Sequence, residues 1–337
     1  MVRKYFRRFT ALTLSFCMLF TAAPAMSAAA ESAEESGSSG GLFQPLSENA
    51  LSRAGAYQPD DRVKIIVELD DKPLLSYAAQ HASVTDFFES DKAKELQRAA
   101  SERRQVFRKA LTRSDMDVEI DKEYSVVLNG FSVEADYGDL NAIQNMDGVK
   151  DAFVSGFHRY VEPPENETKT TESVPSIGGD IVSEEGYTGK STAVAILDTG
   201  LDTDHEAFGD VTGPKYTKED IARLQRENKL TVGTLSTDVL YKSAKVPFAY
   251  DYADLDTNVS GGEAHGTHVA GIVGANQGSS VRGVAPDAQL FIMKVFGDAT
   301  GGAYDSDILA ALDDSVKLGA DAVNMSLGSP AGFSEDA

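Results

Sequence analysis

Ala193–Leu197 is an unbroken apolar run that ends on Asp198. A strand wet on one side alternates apolar and polar residues. A run without alternation belongs to a strand covered on both faces, which points to a parallel sheet with helices above and below. Leu290–Phe296 reads as the next buried strand and Ala322–Leu327 as another strand, with helical stretches at His265–Ala275 and Asp305–Leu318. This alternation predicts an α/β fold built on a parallel sheet with crossover helices. Ligands of such sheets collect outside the carboxyl ends of the strands, so Asp198-Thr199-Gly200 stands where chemistry is expected.

The upstream pattern is different. Val63–Leu69 is a β-rich run, and Val84, Phe87, Phe88, Leu96, Ala99, Val106, Phe107, Ala110 and Leu111 recur mostly at helical spacing. Tyr124–Leu128 and Phe131–Ala135 read as strands around an Asn129-Gly130 hairpin. A short helix over Asp139–Met146 and a last strand over Val149–Phe157 complete a βαββαβ order. That order predicts a ferredoxin-like sandwich over residues 61–160, separate from the parallel-sheet unit at 174–337. Residues 31–60, rich in Ser, Gly, Ala and Glu, and 161–173, rich in Pro and Glu, read as linkers.

Arg3, Lys4, Arg7 and Arg8 precede an uncharged, mostly apolar Phe9–Ala23 and small residues through Ala30. This is the order of a secretory signal peptide over residues 1–30, and its apolar core is shorter than the ~20 residues of a spanning helix. Cleavage between Ser27 and Ala30 would remove Cys17, the one cysteine of the 337 residues, so no disulfide framework is expected. The net charge of −22, from 31 Lys and Arg against 53 Asp and Glu, argues against a nucleic-acid partner.

His265-Gly266-Thr267-His268-Val269-Ala270-Gly271 opens the first helix of the second unit. Catalysis by a hydroxyl needs an imidazole to take its proton and a buried carboxylate to hold the imidazole's tautomer. Asp198 and His265 fit those roles. Two alternatives are weaker. Asp-Thr-Gly is also the triplet of aspartic proteases. His265 and His268 share a helix face as metal ligands would, but no Glu follows His265 as in the usual zinc helix, and no third ligand is evident.

With these motifs in family order, followed by Gly283-Val284-Ala285-Pro286 and Asn324-Met325-Ser326-Leu327-Gly328, the chain resembles the subtilisin-like serine proteases. Ser173-Val174-Pro175 and Gly186-Tyr187-Thr188-Gly189 resemble the start of the family's mature domain. The resemblance implies that Asp198 orients His265, that His265 is the general base, and that His268 is not. It implies that Gly301 and Gly302 on one edge, and Ser326, Leu327 and Gly328 on the other, bind an extended protein or peptide substrate by its main chain, with Tyr304 flanking a distant subsite. Residues 61–160 resemble the family's propeptide, most typically at Leu128–Val133. Such a domain packs its sheet on the protease and lays its tail in the substrate cleft, with the processed bond between Phe157 and Thr171.

The chain departs from the smaller members of that family. Thr217–Leu230 is a charged, helical insert, and Lys245–Asp254 resembles the lactocepin-type cell-envelope proteinases. That implies a large, secreted or envelope-bound protein attached to the cell wall through a C-terminal region. The family's calcium sites are not supported: Ala207 stands where a carboxylate is expected, and the loop from Gly274 to Arg282 lacks a ligand set; the carboxylate-rich Asp251–Asp256 stretch could hold calcium but reads first as a solvated acidic loop. No metal or cofactor is expected. The family's Gly-Thr-Ser-Met-Ala nucleophile segment does not occur, its oxyanion asparagine has no counterpart, and Ser329 and Ser334 lack the matching context. The expectation is therefore the N-terminal part of a secreted serine endopeptidase, inactive as it stands. The alternative is a non-catalytic product whose propeptide domain binds a subtilisin-like protease.

Overall fold

Structure is described here from a computed structural model covering residues 57–81, 84–159, 174–261, 263–277 and 282–328. The signal peptide with Cys17, most of the first linker, the second linker, and Ser329 and Ser334 lie outside these residues.

The apolar run of β1 (Arg62–Leu69) buries Val63, Ile65, Ile66, Val67 and Leu69. It does so because β1 is an inner strand. β2 (Glu119–Tyr124), β3 (Gly130–Asp136) and β4 (Val149–Val154) complete an antiparallel sheet in the order β2-β3-β1-β4. Helices α1 (Leu74–Ala78), α2 (Val84–Glu89) and α3 (Asp91–Thr112) connect β1 to β2, and α4 (Leu140–Gln144) connects β3 to β4. The helical pattern from Val84 to Leu111 is thus split in two. Ser90 breaks it, since its extended backbone and its hydroxyl, which accepts from the Ala93 N–H, start a new helix. Phe107 and Leu111 face the sheet, Phe107 stacking on Phe131 at 5.4 Å, while Val106 points outward and is 68% exposed.

The strand expected at Tyr124–Leu128 instead ends at Tyr124, and Ser125–Asn129 forms an open connection to Gly130. The reason lies in the second unit. There, α5 (Gly179–Glu184), α6 (Lys218–Asn228), α7 (Thr237–Leu240), α8 (His265–Gly274) and α9 (Asp305–Lys317) accompany β6 (Ala193–Asp198), β7 (Phe248–Asp251), β8 (Gln289–Lys294), β9 (Gly302–Tyr304) and β10 (Ala322–Met325). Asp313 on α9 accepts from the backbone N–H groups of Ser125, Val126 and Val127, which a β-ladder would have consumed.

β6, β7, β8 and β10 form a parallel sheet in the order β10-β6-β8-β7. The apolar runs around Ala193, Leu290 and Ala322 are therefore its strands. The charged insert is α6, closed at its start by a capping box between Thr217 and Asp220. The strand expected over Val149–Phe157 divides at Ser155-Gly156. Its end, β5 (Phe157–Arg159), leaves the first sheet and pairs antiparallel with β9, Phe157 opposite Tyr304 and Arg159 opposite Gly302.

The face between the units is ionic as well as apolar. Lys122 Nζ lies 2.7 Å from Asp307 Oδ1, with the two side chains 1% and 2% exposed. The Tyr124 hydroxyl donates to the Ser306 carbonyl at 2.9 Å.

Candidate active site

Asp198 is the last residue of β6 and is 1% exposed. His265 is the first residue of α8, and its Nδ1 lies 2.7 Å from Asp198 Oδ1. Two features bring them together. Gly266 lets the helix start rest on the strand end, since a Cβ there would stand 2.2 Å from the Gly200 carbonyl oxygen. Thr199 then ties the two pieces: its N–H donates to Asp198 Oδ1 at 2.7 Å, and its hydroxyl accepts from the Gly266 N–H at 2.9 Å.

Asp198 Oδ2 is buried without a hydrogen-bond partner among the described residues. A buried carboxylate is costly, and the Thr199 N–H and the imidazole offset that cost on the other oxygen. An Nδ1–H donating to Asp198 places the lone pair on Nε2, the tautomer a general base needs. The hydrogen bond to Asp198 and the carboxylate's charge hold the His265 pKa above its ordinary 6.5, against the lowering effect of burial.

His268, one turn further along α8, does not take part in this pair. It lines a cavity of about 450 Å³ with Asp202, His205, Phe208, Glu263 and Thr267. Among the described residues, neither His265 nor His268 belongs to a group of three side chains spaced to share a metal ion. The residues that do are Asp251, Asp254 and Asp298. Asp251 is not the solvated loop residue expected from sequence: it is 1% exposed, and Lys294 Nζ lies 2.6 Å from its Oδ2. At Ala207, the neighbouring chain is held by amides. The Asn276 and Gln277 N–H groups donate to the Ala207 carbonyl, and the Asn276 side chain both accepts from and donates to Gly209.

Gly302 opens β9 against Arg159, and a Cβ on it would lie 2.4 Å from the Phe157 ring. Gly301 precedes it at φ +60°. Tyr304 faces Phe157, their rings 4.7 Å apart. Ser326, Leu327 and Gly328 follow β10, whose Met325 is in register with Leu197, so they emerge at the same end of the sheet as Asp198. The Ser326 hydroxyl accepts from the Asn324 side chain at 3.0 Å. Thr199, Lys294 and Asp313 carry no periodicity or motif that marks them individually; only Thr199 sits inside a recognised triplet.

Residues 189–337 match the Subtilase family, peptidase S8. The chain contains a subtilase domain. Over 223 residues, 63% of its length, it is 33% identical to the PI-type proteinase of Lactococcus lactis subsp. cremoris, of which it spans 11%. It is 28% identical over 287 residues, 79% of its length, to the minor extracellular protease Vpr of Bacillus subtilis (strain 168), of which it spans 30%. It is 34% identical over 161 residues, 44% of its length, to the C5a peptidase of Streptococcus pyogenes, of which it spans 13%. The chain thus covers less than a third of each of these relatives. Among the described residues no helix is long and apolar enough to cross a membrane.

Proposed function

We propose that the chain carries the signal peptide, the propeptide and the Asp–His half of the catalytic apparatus of a secreted or envelope-bound serine endopeptidase. The observation that carries this reading is the 2.7 Å contact between Asp198 and His265 at the carboxyl end of β6. Asp198 holds the imidazole and stabilises its cation. His265 takes the proton of a serine hydroxyl as that oxygen adds to the substrate carbonyl, then gives it to the leaving amine. Water repeats the sequence on the resulting acyl-enzyme. No Gly-Thr-Ser-Met-Ala segment occurs among these 337 residues.

β9 and the Ser326–Gly328 segment offer main-chain groups to an extended peptide, a form of strand addition. β5 already lies on β9. The first unit therefore acts as an intramolecular propeptide, with its tail on the edge a substrate would use. No nucleic acid takes part.

The test is an enzyme in which these residues are followed by a subtilase segment bearing the serine motif. It should cleave casein and react with a fluorophosphonate. His265→Ala should abolish both, and His268→Ala should leave labelling in place. Casein cleavage that survives His265→Ala overturns the assignment. The 337-residue chain alone should do neither, because a base without a positioned hydroxyl forms no covalent intermediate.

A further inference from the structure

Lys294 closes β8 in register with Asp198, yet the dyad does not use it. Its side chain is 1% exposed. Nζ lies 2.6 Å from Asp251 Oδ2, 2.9 Å from Asp298 Oδ1 and 3.3 Å from Asp254 Oδ2, and it donates to the Phe296 carbonyl at 2.6 Å. Carboxylate oxygens of the three aspartates fall within 4.8 Å of one another, a spacing that suits a cation. The protein supplies that cation from its own strand. Burial alone would lower the Lys294 pKa, but the hydrogen bonds to Asp251 and Asp298 outweigh it and hold the value above the ordinary 10.5.

The groups gathered there come from separate segments. Asp251 ends β7, Asp254 lies in the following loop, and Phe296 and Asp298 begin the connection from β8 to β9. That connection closes on itself, the Gly297 N–H donating to the Gly302 carbonyl and the Gly301 N–H to the Gly297 carbonyl. Those bonds shape the loop without attaching it to the sheet. Its first residue is tied to β6 by the Val295 N–H, which donates to the Asp198 carbonyl at 3.0 Å; beyond it, the loop is attached through Lys294 and through the Asp298 N–H, which donates to Asp254 Oδ2 at 2.8 Å.

We propose that Lys294 is a positioning residue for peptide binding: its buried ammonium fastens the 296–302 loop, and with it the edge strand β9, to the ends of β7 and β8. Without it, three carboxylates repel one another, and Asp298, already 51% exposed, is free to turn outward. This rests on the reading of β9 as the substrate edge.

The test is backbone amide exchange on the 337-residue chain and its Lys294→Met and Lys294→Ala variants. We expect exchange at Gly297, Asp298 and Gly301 to accelerate about tenfold or more in both variants, with the amides of β6 and β8 still protected. Calcium chloride should slow exchange at those three amides again in Lys294→Ala, where an ion can take the ammonium's place among the carboxylates, and should leave the unsubstituted chain unchanged. Unaltered exchange at the three amides overturns the proposal. So does loss of protection throughout β6 and β8 that calcium does not restore, since Lys294 would then be general core support. No readout depends on proteolysis, so failure here is separable from failure of the protease reading.

Discussion

The chemistry of a general base is set by which protonation state its neighbours favour. For His265 the hydrogen bond and charge of Asp198 favour the cation, and burial opposes them, with a net rise above 6.5. The proton is bound more tightly in the folded chain. Its contribution to stability is therefore complete below about pH 6.5 and is lost as the pH climbs through the folded value. As a base, the ring must be neutral, so the acid limb of any activity lies above 6.5 as well. Asp198→Asn should bring the His265 pKa down, as read by NMR titration of the ring, and should flatten the pH dependence of stability in that window. An unmoved titration would show that Asp198 does not act on the imidazole. Asp198 and His265 were legible because each sits in a contiguous motif at a strand or helix end. Lys294 was not, because its partners come from positions 251, 254 and 298 and meet only once the sheet is formed.

β6 and β8 could be read at the element scale because burial on both faces leaves its mark along the run, whereas β10 at the edge of the sheet leaves Val323 and Met325 exposed. β2 could not. Its six residues, EIDKEY, carry four charges, and the apolar stretch after it was the more strand-like. Tertiary contact overrides that preference: the N–H groups of Ser125, Val126 and Val127 are taken by Asp313, which is fully buried and lies 2.7 Å from Lys317 Nζ. Asp313→Ala would leave these backbone donors without their acceptor and Lys317 with only the Lys229 carbonyl at 3.2 Å and Asp314 at 3.6 Å. The expected cost is about 3–5 kcal/mol by chemical denaturation, with faster amide exchange at residues 125–127. Asp313→Asn, which keeps an accepting oxygen but loses the charge, should cost less. Equal stability of Asp313→Ala and the unsubstituted chain would remove α9 as the reason β2 ends at Tyr124.

For the molecule as a whole, composition and patterning do not show how the β1–β4 sheet meets the parallel sheet and its helices, because the join depends on which β2 residues face α9. Lys122 and Tyr124 do, two apart on the strand as one face requires, and they meet Asp307 and Ser306. Asp121 extends the link to Lys64, accepting from both lysines. Ion pairs of this kind rarely add net stability over apolar replacements, but breaking one side is costly. Lys122→Met should therefore destabilise the chain by about 3–5 kcal/mol, and adding Asp307→Leu to it should recover most of that loss. The pair is 1% and 2% exposed, beyond the reach of mobile ions, unlike Lys150–Glu68 at the surface. Its coupling energy in the double-mutant cycle should accordingly stay nearly constant from about 0.1 M to 1 M salt, over which the screening length falls from about 10 Å to about 3 Å. A coupling that fades across that range would mean that water and ions enter between β2 and α9, and that the β1–β4 sheet is held by its apolar face and the β5–β9 pairing instead.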